Sequence, residues 1–155
     1  MSKIIFNYEG TISIMHPTPE ALQIMTIDQI AEKDLPVGVT TYSIVEDSAI
    51  PTDRSFRGSW VGVDIGNTGA TITTDMTKAK EIHKAKIREA RVDKLAALDI
   101  EYQRATETSA DTSAIVAKKQ ALRDAPAASG ISTAASEADL KSQWDTTNLG
   151  ASPYT

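Results

Sequence analysis

The 155-residue sequence contains no cysteine, two histidines and few aromatic residues. Without cysteine the chain has no disulfides, no thiol nucleophile and no cysteine ligand for a metal, as is typical of a protein made in a reducing cytosol. His16 and His83 are then the main candidates for acid–base or metal chemistry. Aromatic residues make up 5% of the chain, so the core that it can bury alone is small. We therefore expect support from an oligomer or a larger assembly.

Long hydrophobic runs are also missing. No apolar stretch reaches the roughly 20 residues that cross a bilayer. The start, MSKIIFNYEG, is too short and too polar for the core of a secretory signal. We expect no membrane partner.

The net charge of −5 is unevenly distributed along the chain. Residues 75–124 carry 11 Lys and Arg against 9 Asp and Glu, whereas the rest holds 5 against 12. The basic residues cluster between 78 and 94 and could form a nucleic-acid face. Stacking aromatics are missing there and the whole chain is acidic, so we expect no nucleic-acid partner and interpret the cluster as a solvated face.

Alternating apolar residues at the start predict a β-hairpin. Residues 3–15 turn at Glu9-Gly10, and the large apolar side chains on either side of the turn are expected on one face. These residues are Ile4, Phe6, Tyr8, Ile12 and Ile14.

Two helix starts and a third strand are predicted next. Pro19 follows Thr18, which suits the first position of a helix, and Thr26 with Gln29 has the spacing of a capping box. Period-two spacing returns in residues 37–45 and predicts a strand.

A second hairpin is predicted around the turn Gly66-Asn67-Thr68-Gly69. The sequence from Val63 to Thr68 resembles the first phosphate-binding hairpin of actin-like ATPases. In those proteins the aspartate at the position of Asp64 holds a metal-bound nucleotide. Those folds need a second domain with a second phosphate loop, and here a helical hairpin and a small-residue tail follow instead. We interpret the segment as a plain turn. Since no other motif supports catalysis, we expect no enzyme, no catalytic or metal residues and no cofactor.

The stretch from Asp75 to Glu107 contains neither proline nor glycine and is rich in strong helix formers. It predicts one helix of about 50 Å at roughly 1.5 Å per residue, capped by Thr74 or Asp75. Its apolar positions recur near the helical period, with a drift that excludes a long coiled coil.

A shorter helix is predicted to be capped by Asp111 or Ser113, to stop at Asp124-Ala125-Pro126 and to fold back antiparallel. Its packing against the distal half of the long helix is assigned to Leu95, Leu98, Tyr102, Ile115 and Leu122.

The short return helix leaves the proximal half of the long helix uncovered. Ile82, Ile87 and Ala90 lie there, and we expect their cover to come from the N-terminal module or from another chain. The tail is rich in Ala, Ser and Thr, with one predicted short helix carrying Leu140 and Trp144, and Trp144 is a candidate docking point.

The predicted fold is α+β: a small N-terminal β-rich module, a long antiparallel helical hairpin and an extended C-terminal tail. The corresponding domains are residues 1–73, 74–126 and 127–155.

Five sequence blocks, taken in their order, resemble the C-terminal half of small tail proteins of tailed bacteriophages. The resemblance covers roughly residues 53–145. The blocks are Asp53 to Trp60, Asp75 to His83, Ile87 to Asp99, Lys119 to Pro126 and the pair Leu140 and Trp144.

The resemblance implies a structural component of a phage tail, at the baseplate or the tail-fibre junction, made in the host cytoplasm and located in the virion. It would bind neighbouring fibre or baseplate subunits through the helical hairpin and the tail, and form a homo-oligomer within the assembly. The alternative is a tail-fibre assembly chaperone that is absent from the mature particle. The expected partner interface is Phe56, Arg57, Trp60, Ile82, Ile87, Ala90, Leu140 and Trp144.

Overall fold

The computed structural model describes residues 2–154, in which short β-strands are followed by one long helix and several shorter ones. The predicted α+β class and order of elements are confirmed. The chain divides after Asp75 into two compact units, called unit 1 and unit 2. The strands are β1 Ser2–Tyr8, β2 Thr11–Met15, β3 Ser43–Glu46, β4 Trp60–Val63 and β5 Thr71–Thr74. The helices are α1 Pro19–Leu22, α2 Ile27–Asp34, α3 Met76–Glu107, α4 Ser113–Asp124, α5 Ser129–Thr133, α6 Glu137–Ser142 and α7 Thr146–Leu149.

Unit 1 is built on an antiparallel sheet with the strand order β2-β1-β3. The pair Tyr8 and Thr11 closes the β1–β2 hairpin, and both turn residues have positive φ, 49° at Glu9 and 76° at Gly10. Two positive φ values match the right-handed twist of the flanking strands, which explains why Gly10 follows Glu9. The predicted hairpin is confirmed.

Both faces of the central strand are covered. Ile4 and Phe6 pack with Ile30 of α2 on one face, whereas Ile5 packs with Trp60 on the other. The side chains of a strand alternate between faces, so β1 serves two cores.

The prediction that Ile12 and Ile14 share a face with Ile4 is wrong. Ile14 pairs with Ile5, and Ile12 lies in the same cluster as Ile5. The reason is the two-residue turn, which fixes the register, because residues that pair across two strands point to the same face.

The third strand is shorter than predicted. β3 begins only at Ser43, and Val37 is fully exposed beside Gly38, whose φ is 92°. A left-handed residue interrupts an extended chain, so the alternating pattern of residues 37–42 does not pair. The predicted capping box is present: the backbone N–H of Gln29 donates to Thr26 Oγ1 over 3.2 Å, and the backbone N–H of Thr26 donates to Gln29 Oε1 over 2.9 Å.

The predicted second hairpin is confirmed as β4 and β5, with Trp60 paired to Thr74. Gly66 in its turn has a φ of 94°, and a Cβ there would collide with the Thr41 side chain. Its N–H donates to the Ser43 hydroxyl over 2.7 Å. The glycine is therefore required both by the backbone angle and by the close approach of a neighbouring segment.

Unit 2 is built on α3, whose 32 residues extend about 48 Å at 1.5 Å per residue. α4 returns antiparallel, as predicted: Arg91 Nη1 donates to the carbonyl oxygens of Leu122 (3.2 Å) and Arg123 (2.8 Å) at the C-terminal end of α4. Lys119 forms an ion pair with Asp99 closer to the tip. These contacts place α4 beside the distal half of α3, residues 92–107.

The C-terminal segment covers the proximal half of α3, residues 76–91. It forms the three short helices α5, α6 and α7 where the sequence predicted one. Lys80 Nζ donates to the Ser132 carbonyl oxygen over 2.7 Å, and the His83 ring lies against Trp144. The sequence assigned the cover of this half to another chain or to the N-terminal module and missed the part that residues 129–154 supply at Lys80 and His83.

Candidate interaction surfaces

A cluster of three rings joins the C-terminal segment to α3. The His83 ring is stacked on Tyr154 at a centroid distance of 5.7 Å and meets Trp144 edge-on at 6.2 Å. His83 Nδ1 and the Tyr154 hydroxyl are hydrogen-bonded over 2.6 Å. Trp144 Nε1 donates to the Gly150 carbonyl oxygen over 3.0 Å, which fixes the indole in its pocket.

The electrostatics of this cluster favour neutral rings. Burial, together with the positive charge of Lys86, lowers the pKa of His83 below its usual 6.5. Burial raises the pKa of the Tyr154 hydroxyl to about 12. The ammonium groups of Lys86 and Lys141 lie 4.5 Å and 5.8 Å from the centre of the Tyr154 ring. A fully buried, neutral histidine in this setting packs and orients a segment, and the arrangement holds the tail on the helix.

Five of the predicted interface residues lie in the cores of their units. The buried residues are Phe56, Trp60, Ile87, Leu140 and Trp144. Ile82 and Ala90 are half-buried and Arg57 is exposed. A partner of the folded chain therefore reaches few of these side chains. The sequence left Ile82, Ile87 and Ala90 without cover because the tail was interpreted as a linker with a single helix.

The residues assigned to hairpin packing differ in how deeply they are buried. Ile115 and Leu122 of α4 are buried, and Leu95 and Leu98 of α3 are half-buried. Tyr102 is 38% exposed, and Lys119 Nζ lies 5.1 Å from the centre of its ring. α4 covers α3 from one side only, so the pair has a closed side and an open side.

The opposite side of α3 carries exposed apolar residues. Val92 is 60% exposed and Ile100 is 51% exposed, with exposed Ala96 between them and exposed Ala85 two turns earlier. At about 100° per residue, the last three positions fall within about 80° of one another around the helix axis. Leu95 and Leu98 lie about 60° and about 120° around the axis from Val92, on the side away from Ile100 and toward α4. We call Ala85, Val92, Ala96 and Ile100 the open face of α3.

Unit 1 contains a cleft of about 620 Å³ beside the Gly66–Gly69 turn. Tyr42 Oη donates to Asp28 Oδ1 over 2.9 Å in this cleft, and the hydrogen bond raises the pKa of Tyr42. The Gly66 N–H already donates to Ser43, so this amide of the turn does not point at a phosphate. Within residues 2–154, no group of three His, Asp or Glu side chains is placed to hold a metal ion.

The structural elements give no membrane-spanning candidate: none of the described helices is both long and apolar enough to cross a bilayer.

Comparison of the chain with known protein families, with curated proteins and with solved structures finds no match.

Proposed function

We propose that this protein is a non-enzymatic structural component of a bacteriophage tail, at the baseplate or the tail-fibre junction, and that it binds a neighbouring tail protein through the open face of α3. The observation that carries the proposal is the alignment of exposed apolar residues on the side of α3 that α4 does not cover. Val92 and Ile100 are the largest of them.

Single exposed apolar residues are common on protein surfaces and need no partner. The open face differs because its members recur along one side of a rigid helix, which is the pattern of a helix that packs against another element. Burying apolar area contributes about 25 cal/mol per Å². Covering Val92 and Ile100 would thus stabilise a complex.

The location in a phage tail is supported by the order of the sequence blocks in residues 53–145. Three of those blocks fall in the α3–α4 hairpin, which carries the open face. The same region therefore holds both the resemblance and the exposed apolar side chains.

Mass spectrometry of purified phage particles tests the location. We expect the protein in a fixed stoichiometric ratio to the other tail proteins. Its presence in assembling lysates together with its absence from finished particles would instead identify the assembly chaperone.

A pair of substitutions tests the surface. We expect Val92→Asp combined with Ile100→Asp to abolish incorporation into particles while circular dichroism shows an intact fold, because carboxylates cannot be buried at an apolar contact. Val37→Asp is the matched control, since Val37 is fully exposed in unit 1 and lies outside the open face. Normal incorporation of the double variant would refute the assignment.

A further inference from the structure

A concave basic surface lies where α4 ends beside α3. The cleft has a volume of about 420 Å³, and four of its lining residues are basic. The basic residues are Lys84, Arg88, Arg91 and Arg123. Its remaining lining residues are Pro126, Ala127, Ala128 and Ser132, so no acidic side chain lines it. We call this surface the basic cleft.

The four basic side chains of this cleft differ in how freely they can contact an external anion. Arg91 Nη1 is held by the two carbonyl oxygens at the end of α4, which fixes its guanidinium as part of the wall. Lys84 pairs with Glu81 over 2.8 Å, an exposed contact that contributes little. Arg88 and Arg123 are in no ion pair with the carboxylates of residues 2–154, although the charge of Arg88 is near enough to help lower the pKa of Glu81. The cleft therefore keeps at least two positive charges that can meet an external anion.

The spacing of these charges favours an extended ligand. Arg88 lies about 6 Å beyond Lys84 along the helix axis, and Arg123 faces this pair from the end of α4. In an extended peptide, side chains on one face repeat about every 6.7 Å. A row of carboxylates on alternate residues would match a row of charges of this length, whereas one small anion would meet only part of it.

The lining also discriminates between classes of polyanion. None of the eight lining residues is aromatic, and single-stranded nucleic acids gain much of their binding energy from bases stacked on aromatic rings. A carboxylate-bearing peptide needs only the local positive charges.

We propose that the basic cleft binds an extended acidic segment of a neighbouring protein, whose carboxylates contact Lys84, Arg88 and Arg123. The site is separate from the open face, and its chemistry does not depend on whether the neighbour is a tail protein. Arginine suits this role because its planar fork of donors can meet a carboxylate with two hydrogen bonds.

The test is a titration of the full-length protein into a fluorescent octapeptide of alternating Glu and Ser, followed by anisotropy at low ionic strength. We expect saturable binding that weakens when salt is added, because exposed charges are screened. An alternating Lys and Ser octapeptide should not bind. Equal binding of both peptides, or no binding of the acidic one, overturns the proposal.

Charge-reversal variants locate the site. We expect Arg123→Glu to weaken acidic-peptide binding by about fivefold or more, since it replaces an attraction by a repulsion of similar size. Lys118→Glu is the matched control, because Lys118 is exposed on the same helix and does not line the cleft. An equal loss in both variants would show that net charge alone drives binding and would overturn the site.

Two further measurements separate peptide binding at the cleft from misfolding and from nucleic-acid binding. If Arg123→Glu disturbs the fold, Arg88→Gln removes a charge from a position on the exposed surface of α3 and should still weaken binding. A single-stranded oligothymidylate of eight nucleotides should bind more weakly than the acidic peptide. Tighter binding of the oligonucleotide would assign the cleft to nucleic-acid phosphates and would refute the peptide proposal.

Discussion

The two halves of α3 have similar helix-forming sequences but opposite environments. The three fully buried residues of the helix, Ala79, His83 and Ile87, all lie in the proximal half, where Trp144 and Tyr154 of the C-terminal segment contact His83. The distal half has α4 on one side and solvent on the other, and Val92 and Ile100 are more than half exposed. A helix can thus be continuous over 32 residues while the tertiary packing that supports it changes halfway.

The difference matters for where a partner can bind. Enclosed side chains are available only when the C-terminal segment opens, whereas the distal half offers its apolar residues in the folded state. Regions with few buried contacts are also the ones that open most easily, so local stability should fall from the proximal to the distal half.

The largest expected effect comes from Trp144, the aromatic anchor of the enclosed half. Trp144→Ala should lower the free energy of unfolding of unit 2 by about 3–5 kcal/mol, because it leaves a large cavity over His83. Urea unfolding followed by circular dichroism measures this. Tyr102→Ala, at the open end, should lower it by about 1 kcal/mol or less, because Tyr102 is already partly solvated. Equal losses would mean that the two halves are supported alike.

A matched pair of isoleucines sharpens the comparison on one helix. Ile87→Ala should lower the free energy of unfolding by about 2–4 kcal/mol, since Ile87 is fully buried. Ile100→Ala should lower it by less than about 1 kcal/mol. Both changes remove the same atoms and gain the same helix propensity, so the difference reports burial alone. If the two substitutions lowered the free energy of unfolding by the same amount, the proximal half would not be more enclosed than the distal half.

The ring cluster should make the enclosed half sensitive to pH. The pKa of His83 is lowered on folding, so its contribution to stability is present above pH 6.5 and is lost as the pH falls through the folded value. The pKa of Tyr154 is raised to about 12, so its contribution is present below pH 10 and is lost as the pH rises through about 12. Melting temperatures measured across this range should fall at both ends.

Substitution separates the histidine effect from general acid unfolding. His83→Gln should flatten the acidic side of the profile, and His16→Gln, at an exposed position in unit 1, should leave it unchanged. An unchanged acidic side in His83→Gln would show that other groups cause the loss.

The smallest expected difference concerns helix caps. The Ser136 hydroxyl accepts from the Asp139 N–H over 3.1 Å at the start of α6, in a complete capping box. Thr112 precedes α4 without a side-chain cap hydrogen bond. Ser136→Ala should therefore cost about 1 kcal/mol and Thr112→Ala only a few tenths, measured by thermal unfolding. Similar values would mean that the cap of α6 is not formed in solution.

Elements with strong local signals could be predicted from the sequence. The Glu9-Gly10 turn and the absence of proline and glycine from Asp75 to Glu107 act over short distances, and they gave the first hairpin and α3. α5 could not be predicted, because its sequence Ser-Gly-Ile-Ser-Thr has weak helix propensity and its Ile131 is fully buried by tertiary packing.

The candidate surfaces show the same limit. The spacing of Val92, Ala96 and Ile100 is visible in the sequence, but only the position of α4 reveals that this side stays open. The basic cleft needs Arg123 to return beside Arg88, which depends on closure of the hairpin. The shortened third strand has a local cause, since the alternating pattern of residues 37–42 is interrupted by the left-handed backbone of Gly38.

The short connection between α3 and α4 has a practical consequence for imaging. Ala110 is exposed at the tip of the hairpin, and the adjacent Ser109 has a φ of 54° in a sharp reversal of the chain. A fluorophore or gold label attached at Ala110 would project into solvent and leave both cores intact. The same label beside Tyr154 would separate the stacked rings of His83 and Tyr154. The micrograph would then show a molecule whose C-terminal segment is displaced from α3.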